Sequence, residues 1–361
     1  YKFKKNLVLN AGNSGTTARL LLSTLINSKY KIQITGDKSL KKRDMNRVIR
    51  PLKKFGAKLT SKKGKLPVFI TGSSFLKPIR YTENLGSAQS KSAVLIAALK
   101  AEGKTKLYCL PSRNHTEIMF KNILKIPINI KKIKKYEFIQ INGLNEFKSF
   151  NYKIPGDISS ASFFIVLTLL SKNKTLIIKN VNVNPSRTGI IKVLNRMGAK
   201  IRLFNTKIYK GEKIADISVK SNQRLKSINL EPRHNSSAID EFLLIFLVAS
   251  RCNGISSFKK LSELNKKESK RLDWGIKILN QIGIKTKRLK NQGIKIWGKP
   301  NLTLNKHFTI KNFLKDHRIF MTTTIAALTL GGSWKIHDPD SYKTSFPSFL
   351  EELKRLGAKI K

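Results

Sequence analysis

Seven charged residues lie close to polar turns that would begin helices. They are Lys91, Arg113, Asp240, Lys267, Glu268, Arg271 and Arg318. A helix N-terminus exposes unpaired N–H groups and a partial positive charge, so it attracts anions, and nearby arginines and lysines strengthen that attraction. A single Ser-rich turn is usually an ordinary N-cap. The clustering of charge with these turns therefore indicates a site for small anionic substrates.

The turns recur along the chain with a period of about 75 residues, which is the sequence signature of a repeated unit. Each is a run of small polar residues followed by an apolar helical segment. Measured at Asn13, Ser87, Ser159, Asp240 and Asp316, the steps are 74, 72, 81 and 76 residues. The polar turns occupy residues 13–16, 86–89, 156–160, 236–240 and 316–318.

A second pattern repeats in phase with these turns. Residues 52–59 read LKKFGAKL, residues 194–201 LNRMGAKI, residues 279–286 LNQIGIKT and residues 353–359 LKRLGAK. Each predicts a helix that ends at a Gly C-cap and is followed by a strand. ILKIPINI at residues 123–130 fills the remaining slot, with Pro127 in place of the glycine. One copy would be unremarkable, whereas copies in phase predict repeated helix–strand–helix–strand–strand units in an α/β protein.

The repeats divide into two groups at Pro155-Gly156, which predicts a first domain at residues 1–152 and a second at residues 153–361. If the repeats in each group stack alike, their helix N-termini point the same way. Two such stacks facing each other would form an anion-attracting cleft. The chain contains neither G-x-G-x-x-G after a strand nor a P-loop, which disfavours a nucleotide-binding fold.

The net charge of +51, from 72 basic and 21 acidic residues, raises nucleic acid as an alternative partner. The lysines are spread along the whole chain, however, and no arginine-rich arm, RNA-stacking motif or zinc finger is present. We therefore interpret most of the charge as compositional bias and expect no nucleic-acid partner. No apolar run approaches the roughly 18 residues of a membrane span. Cys109 and Cys252 lack metal-ligand spacing and are typical of buried thiols in a reducing, cytoplasmic compartment.

Ten short stretches together resemble the 3-phosphoshikimate 1-carboxyvinyltransferase (EPSP synthase) family, over essentially the whole chain. The first five are NSGTTAR (13–19), GDKSLKKRDM (36–45), SAQSKSAVL (87–95), SRNHTE (112–117) and PGDISSAS (155–162). The others are NPSRTG (184–189), IDE (239–241), KESKRL (267–272), DHRI (316–319) and TSFP (344–347). The SAQ-x-K form is closer to the bacterial type that includes glyphosate-insensitive members than to the plant type.

The resemblance implies a transferase that moves the enolpyruvyl group of phosphoenolpyruvate (PEP) to the 5-hydroxyl of shikimate 3-phosphate and releases phosphate. This step belongs to the shikimate pathway of aromatic amino acid biosynthesis. It implies a monomer without a cofactor or metal, and without a membrane or nucleic-acid partner. The implied fold is a two-domain inside-out barrel of six βαβαββ-type units, whose helix N-termini face the cleft between the domains. Five units are present, so we expect a front unit to be missing.

The family's functional residues transfer by motif. Asp240 would accept the hydroxyl proton, and Glu268 would deliver a proton to C3 of PEP. The PEP phosphate would bind Gly15 through its N–H, Arg43 and Gln89, and the PEP carboxylate would bind Arg271 and Arg318. Shikimate 3-phosphate would bind Ser87, Gln89, Ser112, Arg113, Asp240 and Lys267, with Ala88 contributing its backbone at most.

Several departures from the family pattern bear on these roles. The front motif Gly-x-Lys-Ser-x-x-x-Arg is absent, so we expect the chain as given to be inactive. Asp44 stands where Pro is common, and Lys270 stands where Asp usually precedes Arg271. Ser345 replaces a PEP-binding lysine, with Lys343 two residues earlier. Members insensitive to glyphosate carry a methyl group at the position of Gly15, so the glycine predicts a glyphosate-sensitive enzyme.

Three alternatives stay open at this point. The first is enolpyruvyl transfer to a UDP-sugar on the same fold, which uses a loop cysteine that neither Cys109 nor Cys252 matches. The second is an RNA-binding or RNA-processing protein of a related repeat fold, suggested by the charge. The third is a catalytically dead fragment.

Overall fold

A computed structural model of the chain describes residues 7–144 and 146–360. The chain divides into two compact units, Tyr1–Tyr152 and Lys153–Lys361. Each unit contains its own hydrophobic core, one formed by residues between 11 and 141 and the other by residues between 158 and 353. No helix in the described ranges has the length and apolar character needed to cross a membrane.

The first unit contains two sheets of four strands within its described residues. The first group of elements is β1 (Leu7–Asn10), α1 (Gly15–Thr24), β2 (Lys31–Thr35), α2 (Asn46–Lys54), β3 (Lys58–Ser61) and β4 (Val68–Thr71). The second is β5 (Arg80–Glu83), α3 (Ala88–Ala98), β6 (Lys104–Cys109), α4 (His115–Asn122), β7 (Ile128–Ile133) and β8 (Tyr136–Asn142). The strand orders, β1-β2-β4-β3 and β5-β6-β8-β7, are equivalent. In each sheet the two strands that flank the first helix are parallel, and the other pairs are antiparallel.

The second unit repeats this pattern with variations. Its elements begin with α5 (Ile158–Leu170), β9 (Thr175–Asn182), α6 (Gly189–Arg196), β10 (Arg202–Tyr209) and β11 (Glu212–Lys220). They continue with β12 (Asn229–Leu230), α7 (Asn235–Ala238), α8 (Phe242–Ala249), β13 (Ile255–Phe258), α9 (Arg271–Gln281), β14 (Thr286–Leu289) and β15 (Gly293–Trp297). The last are β16 (Leu304–Ile310), α10 (His317–Leu330), β17 (Gly331–Ile336) and α11 (Phe349–Arg355).

The three sheets of the second unit differ in strand number. Their orders are β10-β11-β9, β12-β13-β15-β14 and β16-β17. In the first of them, Gly156 forms a single parallel bridge with Val181, at the place where a full strand stands in the first unit. The predicted α/β class and the order helix, strand, helix, strand, strand are confirmed for these elements, with the last unit ending after its second helix.

Four of the five predicted helix starts are confirmed by side-chain caps. Ser14, Ser87 and Asp157 each accept a hydrogen bond from the backbone N–H three residues later, and Asp316 accepts one from the N–H of Arg318. The predicted turn at residues 236–240 is partly wrong, because residues 235–238 form the short helix α7. The Asn235 amide donates to the carbonyls of Lys259 and Lys260 and thereby anchors this extra turn.

The predicted glycine C-caps are also confirmed. Gly56, Gly198, Gly283 and Gly357 have positive φ, a conformation that glycine adopts without a steric penalty. In the remaining copy, the residue with positive φ is Lys125, at 56°, which lies two residues before Pro127. A strand follows the cap in four copies, but residues 358–360 form none, so that prediction is wrong for the last copy.

The helices that begin at the predicted turns are central to each core. Every residue of α8, Phe242–Ala249, is buried, and most residues of α3 and α5 are buried as well. A helix that is apolar on all sides must be surrounded by protein. Packing therefore fixes the position of each N-terminus, together with the polar residues that precede it.

Candidate active site

The first unit brings Gly15, Arg43 and Gln89 together around a buried arginine. A Cβ at Gly15 would lie 3.0 Å from Nη1 of Arg43 and 3.1 Å from Nη1 of Arg19. Arg19 Nη1 donates to Oε1 of Gln89 at 2.5 Å, and Gln89 Nε2 donates to the Thr16 hydroxyl at 2.6 Å. The N-terminus of α1, two guanidinium groups and a side-chain amide thus surround one position. All of them can donate hydrogen bonds to a phosphate.

Arg19 is a site residue that the sequence analysis did not single out. It is 4% exposed, although it lies in the NSGTTAR stretch of an otherwise ordinary helix. Its Nη2 donates to the backbone oxygen of Asp44 at 2.9 Å, and the Asp44 carboxylate accepts from the N–H of Asn46 at the start of α2. Asp44, which departs from the family pattern, therefore takes part in a local turn that supports Arg19.

The start of α3 places Ser87 and Ala88 beside this group. Ser87 is the N-cap, and Ala88 is the first helical residue, so its backbone N–H belongs to the exposed first turn. The Glu83 carboxylate accepts hydrogen bonds from the backbone N–H groups of Leu85 and Ser87. Burial raises the pKa of Glu83. These bonds hold the turn that precedes the helix.

Lys91 is placed differently from the expectation that it would attract a substrate anion. It is fully buried, with Nζ 2.6 Å from Glu117 and 3.8 Å from Glu137. Burial raises the pKa of Glu117, and the Lys91 charge opposes this effect. The ion pair joins α3 to α4, and the turn before α4 carries Ser112 and Arg113. In the described part of the chain, the buried Ser112 hydroxyl has no hydrogen-bond partner.

In the second unit, Asp240, Lys267, Glu268 and Arg271 form one cluster. Nζ of Lys267 is 3.0 Å from Oδ1 of Asp240, and Nη1 of Arg271 is 3.7 Å from the same oxygen. Arg271 also forms an ion pair with Glu268 through Nη2. The two carboxylates predicted to transfer protons are therefore held by one guanidinium.

Arg271 is the centre of this cluster. It is 2% exposed, and its Nε donates to Asp316 at 2.9 Å. Burial would raise the pKa of Asp316, but the Arg271 charge and its hydrogen bond outweigh burial and lower that pKa to about 2. Asp316 also accepts from the Ser269 hydroxyl and the Arg318 N–H. The sequence placed Asp316 at a helix start and missed this second role, which supplies the carboxylate that Lys270 cannot.

Arg318 lies in a second group of contacts. Its side chain is 11% exposed, and Nη1 donates to the backbone oxygen of Asp240 at 2.8 Å and lies 3.4 Å from Oε1 of Glu241. Glu241 is buried, and it accepts a 2.5 Å hydrogen bond from the Ser159 hydroxyl. Burial raises the pKa of Glu241, with the Arg318 charge opposing it. Glu241 lies in the IDE stretch at residues 239–241, but the family resemblance implied no role for it.

The C-terminal region leaves one predicted contact open. Nζ of Lys343 lies 2.7 Å from Asp340, and both side chains are more than half exposed. Ser345 ends the same short 3-10 turn. Whether Lys343 or Ser345 contacts PEP stays a prediction.

The two groups of residues divide the chemistry between them. The first unit offers N–H donors and guanidinium groups, which bind phosphate and carboxylate. The second adds two carboxylates next to arginines, which can accept and deliver protons. An α/β enzyme that acts on small anionic substrates is the class that this fold and these residues define.

Comparison with known proteins places the chain more narrowly. The family model of EPSP synthase (3-phosphoshikimate 1-carboxyvinyltransferase) matches residues 1–353. The 3-phosphoshikimate 1-carboxyvinyltransferase of Ruthia magnifica is 40% identical over 98% of this chain and 79% of its own length. The relative of the same name from Caldicellulosiruptor bescii is 39% identical over 96% of this chain and 79% of its own length. The chain belongs to the EPSP synthase family.

Solved structures agree with this assignment. The EPSP synthase of Acinetobacter baumannii superposes with a TM-score of 0.84 at 36% identity, covering 98% of this chain and 80% of that one. The enolpyruvyl transferase NikO of Streptomyces tendae has a TM-score of 0.64 at 13% identity, covering 94% of this chain and 75% of its own, and shares the fold.

Proposed function

We propose that the chain transfers the enolpyruvyl group of PEP to the 5-hydroxyl of shikimate 3-phosphate and releases inorganic phosphate. The sequence-based expectation that the chain as given is inactive stays a prediction, and the assay below decides between the two. The observation that carries the proposal is the Asp240–Lys267–Arg271–Glu268 cluster in a member of the EPSP synthase family. Both substrates carry phosphate and carboxylate groups, which explains why the site residues are mostly cations and N–H donors.

The reaction requires one proton to be accepted and another to be delivered. The 5-hydroxyl oxygen bonds to C2 of PEP while C3 gains a proton. The C2–O bond to phosphate then breaks, C3 returns a proton to the Glu268 carboxylate as the double bond re-forms, and the phosphate leaves with the proton taken from the hydroxyl. Asp240, which Lys267 and Arg271 hold in place, accepts the hydroxyl proton. Glu268 delivers the proton to C3.

The remaining roles concern binding. Gly15, Arg43 and Gln89 bind the PEP phosphate, and Arg271 and Arg318 bind its carboxylate. Ser87, Gln89, Ser112, Arg113, Asp240 and Lys267 bind shikimate 3-phosphate, with the backbone of Ala88. Support comes from the convergence of Gly15, Arg43 and Gln89 and from the buried hydroxyl of Ser112. Arg271 already contacts three carboxylates, so its role is to orient Glu268 and Asp240 as well as PEP.

We further propose that the two units are two domains and that each is an inside-out arrangement, with apolar helices in the centre and sheets around them. The buried helices α3, α5 and α8 support this reading. We expect a monomer in a reducing compartment such as the cytoplasm. Cys109 and Cys252 are buried free thiols, and burial raises the pKa of each to about 12, as expected of unreactive core residues.

The test is a phosphate-release assay with each substrate alone and with both together. The proposal predicts phosphate only when PEP and shikimate 3-phosphate are both present. UDP-N-acetylglucosamine serves as the control acceptor and should support no release. Release with the UDP-sugar, or from PEP alone, would contradict the proposal.

A further inference from the structure

Glu241 is a buried carboxylate next to the proposed base, and the reaction described above gives it no role. It is 2% exposed, although glutamate is rarely buried without a partner. It lies immediately before α8, whose residues are all buried, so the main chain at Asp240 and Glu241 is fixed by the core. Its Oε1 accepts the Ser159 hydroxyl at 2.5 Å and lies 3.4 Å from Nη1 of Arg318.

The guanidinium group of Arg318 is held through one of its nitrogens, Nη1. Nη1 contacts both the Glu241 carboxylate and the backbone oxygen of Asp240. Among residues 7–144 and 146–360, no hydrogen-bond partner is found for Nε and Nη2 of Arg318. Those two nitrogens form an edge that suits the two oxygens of a carboxylate. The contacts at Nη1 thus fix the direction in which this edge is presented.

Behind Glu241 the chain of contacts continues to a second arginine. Nη2 of Arg187 donates to the Ser159 hydroxyl at 2.8 Å and to Oδ1 of Asp157 at 2.9 Å. Burial tends to raise the pKa of Asp157, but the charges of Arg187 and Arg318 outweigh it and lower that pKa. Ser159 therefore receives one hydrogen bond from Arg187 and donates another to Glu241. Its hydroxyl proton is directed at Glu241 by the Arg187 contact.

We propose that Glu241, supported by Ser159 and Arg187, is a positioning residue that orients Arg318 toward the carboxylate of PEP. This proposal deepens the function proposed above and rests on it. Nη1 of Arg318 also contacts the backbone oxygen of Asp240, but the buried helix α8 already fixes that main chain, so Glu241 acts on the orientation of Arg318. Loss of the Glu241 charge should therefore weaken PEP recognition selectively and leave shikimate 3-phosphate recognition almost unchanged.

The experiment is a double-mutant cycle of Glu241→Gln and Arg318→Lys, because such a cycle isolates the coupling between two residues. Glutamine keeps the shape of the side chain and its acceptor oxygen but removes the charge. In the parent background, Glu241→Gln should raise KM for PEP about tenfold, the scale of one charge-assisted hydrogen bond, and change KM for shikimate 3-phosphate less than about threefold. In the Arg318→Lys background its further effect should be less than about threefold.

Two further variants control for structure. Glu352→Gln removes a partly exposed glutamate that pairs with Arg355 and should change neither KM nor kcat. Ser159→Ala leaves the charge of Glu241 and removes its hydroxyl partner, so it should raise KM for PEP by less than Glu241→Gln does. If Glu241→Gln fails to fold, Ser159→Ala decides. Equal changes in both KM values, or additive effects in the cycle, would overturn the proposal.

The proposed function can fail separately. The same cycle is therefore measured on the Kd for PEP by calorimetry, in the presence of 5-deoxyshikimate 3-phosphate, which lacks the reacting hydroxyl. A parent chain that binds PEP but releases no phosphate contradicts the proposed function, and the cycle on Kd still tests Glu241. A parent chain that does not bind PEP contradicts both proposals.

Discussion

One buried arginine in each unit, Arg19 in the first and Arg271 in the second, contacts a different kind of acceptor. Arg19, in the first unit, donates to the amide oxygen of Gln89 and to the backbone oxygen of Asp44, which are neutral acceptors. Arg271, in the second unit, contacts the carboxylates of Asp240, Glu268 and Asp316. Both side chains are almost fully buried. These contacts therefore differ in the charge of the acceptors, whereas the exposure of the two side chains is nearly the same.

Hydrogen bonds to neutral oxygens hold the Arg19 guanidinium next to Gly15 and Gln89, where it can contribute to binding an anion. A guanidinium surrounded by carboxylates has its charge balanced, and it fixes the geometry and ionisation of those carboxylates instead. We therefore assign anion binding to the first group, Gly15, Arg19, Arg43 and Gln89. We assign proton transfer to the second group, Asp240, Lys267, Glu268 and Arg271. We predict that substitutions in the first group mainly change KM, and that substitutions in the second mainly change kcat or stability.

The largest effect is expected from the two acid–base carboxylates. Glu268→Gln and Asp240→Asn each keep side-chain shape and remove a proton-transfer group, so each should lower kcat at least about a hundredfold. Steady-state phosphate release at saturating substrates measures this, with Glu352→Gln as the matched control. Turnover like the parent's in both variants would refute the assigned roles.

Asp316→Asn should mainly cost stability. The substitution removes one of the charges that compensate buried Arg271, and the amide keeps only part of the hydrogen bonding. We expect a loss of about 2 kcal/mol in the free energy of unfolding. Urea unfolding followed by circular dichroism measures the loss, and Asp340→Asn is the control because the Asp340 side chain is exposed and lies outside this cluster. An unchanged unfolding midpoint would contradict the central role of Asp316.

The same carboxylate predicts a dependence on pH. The pKa of Asp316 is lowered from an ordinary 3.8 to about 2. A lowered pKa stabilises the fold above the ordinary value, and this contribution is lost as the pH falls toward about 2. Between about pH 4 and pH 2.5, the parent should therefore lose more stability than Asp316→Asn. Equal losses in the free energy of unfolding for the two proteins over this pH range would contradict the lowered pKa of Asp316.

A smaller effect, on binding, is expected at Gln89. Gln89→Ala removes the amide that accepts from Arg19 and donates to Thr16. KM for PEP should rise about tenfold with kcat within about threefold, because an interaction made equally with substrate and transition state affects binding alone. Initial rates at varied PEP separate the two parameters. A fall in kcat comparable to that of Glu268→Gln would erase the distinction between the two groups.

The smallest effect is expected at Gly15. In Gly15→Ala the methyl group would lie 3.0 Å from Nη1 of Arg43, so the guanidinium must shift by a few tenths of an ångström. KM for PEP should rise about threefold, and the inhibition constant for glyphosate should rise by more than KM for PEP does. Inhibition curves for the parent and the variant provide the measurement. A glyphosate-insensitive parent would contradict the prediction drawn from Gly15.

Local chemistry made the helix starts predictable. Ser14, Ser87, Asp157 and Asp316 cap helices within three residues of themselves, so the signal is contained in a few adjacent letters. The glycine C-caps are local in the same way. Motif resemblance then named most of the charged residues that the structure brings together around Asp240.

Long-range partners were not predictable in this way. Arg271 is 45 residues from Asp316, and Ser159 is 82 residues from Glu241, and no spacing rule connects such pairs. Lys270 occupies the position where the family usually has an aspartate next to Arg271. The structure shows that Asp316 forms the ion pair with Arg271 instead. Arg19 has the sequence of a surface residue on a helix, and its burial follows from the packing of α1 against α3.

The most direct test of the division between the two groups is deuterium incorporation at C3 of PEP, followed by NMR in D2O with saturating substrates. The account predicts that Glu268→Gln slows incorporation at least about a hundredfold, and that Gln89→Ala leaves it within about threefold of the parent rate. Equal losses in the two variants, or incorporation at the parent rate in Glu268→Gln, would contradict it.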